Sequence, residues 1–492
     1  MFNLDQAHLD NPWWSTPARS ENSSGMSSGP ASRFAQVPAP LTLIDLEGGA
    51  VMSLRGPAGV GKSSLVRRLI SERAQAGLAR RTALLRGETL AGEGDLEAAI
   101  DAILRLYPDE EGRWIFFVDE VTHLPDWAKT VASLREYNGR FRLSSLLAVS
   151  STTADLDRSA ALLGPWRGRI VVPDRWLGPA TFRQFLAARD PDRLLPPTLT
   201  IAELLSPEGR AQVERMVPRA RRLDEFVLEY ARSGGLPRRM SEQIDLGAPS
   251  LESATDLTDR LTDALRGPRR RKVDLAHFLG QATTDLGAMV RWADLAAALG
   301  LVKTSVSKYV KALTDAGALL VIHQHDPIRG GAPSLTRPRK VYLGDTGYAA
   351  IATDRPSVTA DQTDQTEPTT GQPGQTANLS GLVENLLALA LFRAFEPTMM
   401  GHFDGSQAIF TWKSVNGREV DFVVDERRPT PIQSVYGTRT RAKDYESLTK
   451  AFGRGIMASR LVTDTERPVM TIPAGVLLAL LDDPSTRTDA PR

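Results

Sequence analysis

"GPAGVGKSS", residues 56–64, decides the fold. It follows a short apolar run, "VMSLRG" (51–56), and opens a helical pattern, "SSLVRRLISERA". Gly56, Gly61, Lys62 and Ser63 meet the spacing Gly-x-x-x-x-Gly-Lys-Ser, with Pro57, Ala58, Gly59 and Val60 between them and Ser64 just after. Each residue type has a physical reason. Glycines let the backbone curl so that successive N–H groups point at phosphate oxygens. The helix that follows adds its N-terminal partial positive charge. Lys62 would reach the β- and γ-phosphates as a point charge, and the Ser63 hydroxyl would sit on Mg²⁺. A strand, a glycine loop and a helix in this order predict a nucleotide site.

The partner of such a loop is "WIFFVDEVTHL" (114–124), in which four apolar residues lead to Asp119 and Glu120. Asp119 would hold the hydrated Mg²⁺, and Glu120 would orient and deprotonate an attacking water. A glutamate directly after the aspartate favours ATP hydrolysis over a GTP switch, and no Asn-Lys-x-Asp guanine-reading motif is present. Further strands are expected at 82–87, 145–150 and 169–173, which makes the region α/β with an inserted strand. The strand 145–150 should then lie beside the phosphate loop and offer Ser150, Ser151 or Thr152 to the γ-phosphate. Ser151 is the preferred candidate, and an N-cap or turn role is the alternative for these hydroxyls. Arg167 and Arg169 stand just before the expected fifth strand, where a ring-forming ATPase would project an arginine into a neighbouring subunit. Arg238, in "GGLPRR", is a candidate sensor. The alternative for all three is an ordinary surface arginine.

The bulk numbers agree with a large protein of several domains. The chain has 492 residues, 41% hydrophobic and 24% charged, with net charge +1. That balance gives no global field toward nucleic acid or membrane, so any DNA contact must come from a local patch. With no cysteine and six histidines, disulfides and thiolate sites are excluded and zinc is disfavoured. No apolar run approaches the ~20 residues of a membrane span. The N-terminus lacks a basic n-region, and the expected location is cytoplasmic.

Six segments are expected: an N-terminal segment and linker (1–38), the nucleotide core (39–178), a helical lid (179–265), a winged helix (266–352), a polar, disordered insert (353–379) and a C-terminal module (380–492). "WADLAAALGLVKTSVSKYVKALTDAGALLVI" (292–322) carries the apolar spacing of a helix–turn–helix, with Gly300 at the turn. Its second helix would expose Lys303, Thr304, Ser305, Ser307, Lys308 and Lys311 to DNA. "RGPRRRK" (266–272) and "RPRK" (337–340) would add basic flanks. The competing reading is a winged helix that serves only for packing.

"RGPAGVGKSSL", "FFVDEVTHLPDW", "SSTTADLDRSAALLGPWRGR" and "FRQFL", followed by "KVYLGDTGYAAI", "GLVENLLALALF", "TWKSVNGREVDFVV" and "PIQSVYG", resemble the bacterial and archaeal AAA-type ATP-binding protein family. The resemblance runs from about residue 10 to 465. It implies a P-loop ATPase core, a helical lid, a winged helix and a C-terminal α/β domain like a restriction endonuclease. Two departures stand out. Val149, Ser150, Ser151 and Thr152 replace the family's Thr-Gly-Ser-Ser. In the last module Glu384 and Asp421 match two metal-holding acids, but Pro431, Ile432, Gln433, Ser434 and Val435 replace Pro-Ile-Glu-Val-Lys. Gln433 cannot supply an anionic ligand and Val435 cannot carry a proton, so nuclease chemistry is disfavoured. Lys413 is the strand lysine that a migrated site would use. The expected activity is Mg²⁺-dependent ATP hydrolysis in a homo-oligomer, coupled to movement of the later modules, with DNA as a candidate partner. A slow ATP-dependent signalling switch is the alternative.

Overall fold

The structure is a computed structural model that describes residues 4–15, 48–90, 95–108, 112–170, 172–190, 195–265, 275–284, 286–325, 337–352, 373–395, 409–414, 416–424, 428–437 and 439–481. Nearly all of the linker, the stretch 266–272 and most of the insert lie outside the described residues. The chain divides into two compact units, one containing Met1–Gly178 and the other Pro179–Pro397 with Phe403–Pro484.

The first unit is built on a five-stranded parallel sheet: β1 (Val51–Arg55), β2 (Thr82–Arg86), β3 (Ile115–Asp119), β4 (Ser145–Ser150) and β5 (Asp174–Trp176), in the order β2-β3-β4-β1-β5. A parallel sheet covered on both faces needs continuously apolar strands, and Ile115–Val118 and Leu146–Val149 are completely buried. The inserted β4 lies between β1 and β3, as the sequence predicted, so the ends of β1, β3 and β4 are adjacent. This is the α/β fold of P-loop ATPases.

The edge of β2 is closed by an element that periodicity does not reveal. Asn11, after the helix Leu4–Asp10, donates to the Leu84 carbonyl at 3.0 Å and accepts from the Leu84 N–H at 2.6 Å. Trp13 and Trp14 both donate their indole N–H to the Thr82 carbonyl. These side chains satisfy backbone groups that an open sheet edge would leave exposed to other strands.

The fifth strand differs from expectation. Residues 169–173 precede it, and the strand is Asp174–Trp176. Its register is set by buried polar contacts rather than by the Ile-Val-Val run. Asp174 takes a hydrogen bond from Ser53 of β1, and the Arg167 guanidinium lies 2.9 Å from Asp174 and 3.0 Å from the Val51 carbonyl. Arg167 is only 7% exposed. It therefore ties β1 to β5 and does not project outward, which corrects its assignment as a catalytic arginine. Burial pulls its pKa down while the Asp174 charge opposes that shift. Arg167→Ala is expected to cost the first unit about 3 kcal/mol by leaving the buried Asp174 without its cation, with Ser53 as its remaining partner. Chemical denaturation monitored by tryptophan fluorescence would show it.

The second unit contains helices from Phe182–Arg189 to Leu251–Leu265 and two sheets. One is three-stranded and antiparallel: β6 (Met289–Val290), β7 (Leu319–Ile322) and β8 (Arg339–Leu343), ordered β6-β8-β7. The helices Trp292–Ala298 and Lys303–Asp315 lie between β6 and β7 in the chain. The other sheet is mixed: β9 (Ile409–Lys413), β10 (Glu419–Val424), β11 (Thr430–Val435), β12 (Gly455–Ser459) and β13 (Val469–Pro473), ordered β13-β12-β11-β10-β9. The helix that opens the C-terminal module is Pro373–Phe395.

Within this unit, polar clamps join distant segments. The buried Asp345 carboxylate accepts from the N–H of Gly235 at 2.7 Å and of Gly347 at 2.8 Å. Burial pushes its pKa up, against those hydrogen bonds. Asp224 meets Arg460 at 2.9 Å and accepts from Tyr436.

Candidate nucleotide site

β1 delivers the chain into the loop 56–61, and the helix Lys62–Gln75 leaves it. Gly61 caps that helix at φ 103°, a conformation that favours glycine. Gly56 is required for a different reason: a Cβ there would lie 2.2 Å from the Leu177 carbonyl oxygen. Pro57, Ala58 and Val60 are buried in the loop, Gly59 is exposed at φ 79°, and Ser64 faces outward on the helix.

Lys62 is 4% exposed, and its ammonium donates at 2.9 Å to the carbonyls of Gly56 and Pro57 and to Ser151 Oγ. Ser151 in turn donates its hydroxyl to Glu120 Oε1 at 2.5 Å and its N–H to Oε2 at 3.2 Å. The phosphate-loop lysine, the hydroxyl after β4 and the glutamate after β3 thus form one chain of hydrogen bonds. Glu120 stands at φ 48°, rare for a residue with a side chain. This turn carries its carboxylate back toward β4. The other two hydroxyls serve locally: Ser150 bonds Thr122 and the Thr152 N–H, and Thr152 caps the Ala154 N–H. Asp119 ends β3 and accepts from the Glu120 N–H at 3.2 Å.

A cavity of about 180 Å³ opens here, lined by Ser63, Arg67, Arg86, Glu88, Asp119 and Glu120. Ser63 and Asp119, the pair expected to hold Mg²⁺, therefore face the same space as Glu120. Arg67 and Arg86 also line it and were not singled out from the sequence. Arg86 is paired with Asp10 at 3.3 Å.

Arg55 is another residue that sequence reasoning missed. It is fully buried, donates to the Thr152 carbonyl at 3.1 Å and to Asp155 at 2.9 Å, and stacks over Trp127. It holds the loop that carries Ser151. An arginine ending the apolar run just before the phosphate loop was the available signal. Arg169 is exposed. Arg238 belongs to the second unit, on the helix Pro237–Leu246, and is paired with Glu242, Glu252 and Asp256. Hydrogen bonding to Glu252 raises its pKa.

The residues expected to contact DNA separate into two groups. Lys303, Thr304, Ser307, Lys308 and Lys311 are exposed on the helix Lys303–Asp315, with Ser305 half-buried and Lys311 paired to Asp315. "RPRK" is not an exposed patch as expected: Arg339 is buried over Trp292 and Lys340 is 1% exposed at its side chain. Lys340 instead enters the acid pair of the C-terminal module, reaching Asp421 at 2.6 Å, Glu384 at 3.0 Å and Glu419 at 3.4 Å. Gln433 donates to Asp421 at 2.7 Å, as does the Ser434 N–H at 2.8 Å. Lys413, the lysine suspected from the sequence, pairs with Glu419 at 3.2 Å and is 40% exposed. Among the described residues, no group of three or more His, Asp or Glu is arranged to hold a metal ion.

The fold and this loop geometry are those of a P-loop ATPase. Residues 49–186 match the family model described as an AAA domain. No curated protein matches the chain. Several solved structures are similar at low identity. A Walker-type ATPase of Pyrococcus abyssi is 13% identical, with 64% of this chain and 95% of that one covered and a TM-score of 0.40. The Aeropyrum pernix ORC1 protein, solved in complex with DNA, is 14% identical over 64% and 92%, at 0.32. A single-residue variant of RuvB from Thermotoga maritima is 18% identical over 59% and 87%, at 0.26. No helix of the described residues is long and apolar enough to cross a membrane.

Proposed function

We propose that the chain is a Mg²⁺-dependent ATPase that couples hydrolysis in the first unit to rearrangement of the second. The observation that carries this reading is the convergence of Lys62, Ser151 and Glu120 beside a cavity that also takes Ser63 and Asp119. Ser63 and Asp119 would hold Mg²⁺, which when bound neutralises phosphate charge. The protein's own residues do the rest. The loop N–H groups and Lys62 bind the phosphates, Ser151 senses the γ-phosphate, and Glu120 takes a proton from water. Arg169, exposed beyond the sheet, is the arginine available to act in a neighbouring subunit of a homo-oligomer. Steady-state ATPase rate and molecular mass, measured together with and without DNA, test the proposal. An oligomer with no turnover under any of these conditions would sink it.

A slower, switch-like ATPase is the second reading. What favours it is that Glu120 is engaged by Ser151 through both carboxylate oxygens, so it must be released before it can serve water.

In the second unit, the three-stranded sheet with its two helices serves in this proposal as a winged helix that contacts DNA phosphates through Lys303, Lys308 and Lys311. The mixed sheet serves as a restriction-endonuclease-like recognition or assembly module without cleavage chemistry. Binding should weaken with salt, with log K falling against log [salt] by about 0.9 per phosphate neutralised. Fluorescence titration with duplex DNA measures that slope, and a flat line removes the electrostatic contact.

A further inference from the structure

Three carboxylates of the second unit converge on one buried ammonium, and the ammonium comes from a different sheet. Lys340 lies in β8, opposite Ile322 of β7 and Met289 of β6, and its side chain leaves that sheet toward Glu384, Glu419 and Asp421. Tyr342 shares its face of the strand and donates to Glu384 at 2.7 Å. One residue further, Asn385 accepts from the Leu343 N–H at 2.8 Å and donates to the Leu343 carbonyl at 2.9 Å. At the other edge, backbone bonds join the segment after β7 to β9: His325 N–H to the Thr411 carbonyl and Thr411 N–H to the His323 carbonyl, both 3.0 Å. The three-stranded sheet and the mixed sheet are thus joined by backbone, amide and charge at once.

We infer that Lys340 is a built-in cation that bars divalent metal from the acid pocket and fastens the three-stranded sheet to the mixed sheet, so that the two behave as one rigid piece. Carboxylates gathered in a buried place need a positive partner, and without one they must take up protons or water. An ammonium at 2.6 to 3.4 Å from all three fills the point where their oxygens meet, and a metal ion there would face it as a like charge. Gln433 and the Ser434 N–H both donate to Asp421 Oδ2, which leaves Oδ1 for the lysine. The remaining electrostatics agree. Burial alone would lower the Lys340 pKa, but the charges of Asp421 and Glu384 outweigh it and keep the ammonium charged.

Hydrogen exchange by mass spectrometry on the full chain tests the inference, read in peptides covering β8, the helix around Glu384, and β10. In the parent protein, millimolar Mn²⁺ or a chelator is expected to leave exchange in these peptides unchanged. Mn²⁺ also meets the phosphate loop, so the local readout matters. Lys340→Met is expected to raise exchange there roughly tenfold or more, because it strands the buried carboxylates. The double variant Lys340→Met, Asp421→Asn removes the counter-charge with the lysine, so it should regain part of the protection. It also guards against a single variant that fails to fold, because its recovery relative to Lys340→Met is itself the signature of charge pairing. The inference is overturned if Mn²⁺ protects these peptides in the parent, if Lys340→Met exchanges as the parent does, or if the double variant is no better protected than the single one.

Discussion

Glu120→Gln is expected to retain ATP binding and to lose turnover by about 10²- to 10⁴-fold. Glutamine keeps the shape and one acceptor oxygen. It can still take the Ser151 hydroxyl bond that Glu120 Oε1 takes at 2.5 Å. It cannot accept a proton from water. The loss should therefore appear in kcat and spare the dissociation constant for ATP, which the phosphate loop and Lys62 set. Coupled steady-state assay and equilibrium binding of a fluorescent ATP analogue separate the two quantities. A variant that loses binding as well would mean that the Glu120–Ser151–Lys62 chain holds the loop in shape, and that Glu120 acts as a structural acid. The switch reading makes a further distinction. If Ser151 restrains Glu120 in the parent protein, Ser151→Ala speeds hydrolysis; if Ser151 contacts the γ-phosphate, the same change slows it.

The parts legible in the sequence were those that local chemistry dictates. A glycine loop between strand and helix, an apolar run ending in Asp119-Glu120, and continuous apolar strands at 82–87 and 145–150 follow from backbone freedom and burial within a few residues. The parts that escaped depend on partners far along the chain. "RIVVP" has the propensity of a strand, but Asp174, bound by Ser53 and Arg167, decides where pairing begins. Propensity describes a fit to a half-buried surface and does not choose a register. Asn11 and its neighbouring tryptophans close the β2 edge across some seventy residues, through bonds to backbone groups that carry no sequence signal. The C-terminal acids read as a pair, with Lys413 on an adjacent strand as the lysine a migrated catalytic site would use, and the cation that meets them was not foreseen. It proved to be Lys340, 81 residues from Asp421 and part of what read as a basic surface patch. A lysine beside arginine and proline looks solvated until the fold shows which way the strand turns it.

Lys62→Ala is expected to weaken ATP binding and hydrolysis by about 10²- to 10³-fold, the scale found when one preorganised donor to a developing negative charge is removed. The structure adds a second cost. The ammonium is 4% exposed and holds the carbonyls of Gly56 and Pro57 and the hydroxyl of Ser151, all at 2.9 Å. Alanine leaves those groups without that donor, at about 1–3 kcal/mol for a buried group that no water reaches. The loop of the variant should then be looser even without nucleotide. Lys62→Arg tests which cost dominates. A guanidinium keeps the charge and donors but is planar and too broad for the pocket that the ammonium fills between two carbonyls. If Lys62→Arg restores the exchange protection of residues 56–61 without restoring ATP affinity, the ammonium's compact geometry at the phosphates is the larger contribution. If it restores neither, the apo loop depends on the lysine as much as the nucleotide does, and part of the measured binding loss in Lys62→Ala belongs to the loop.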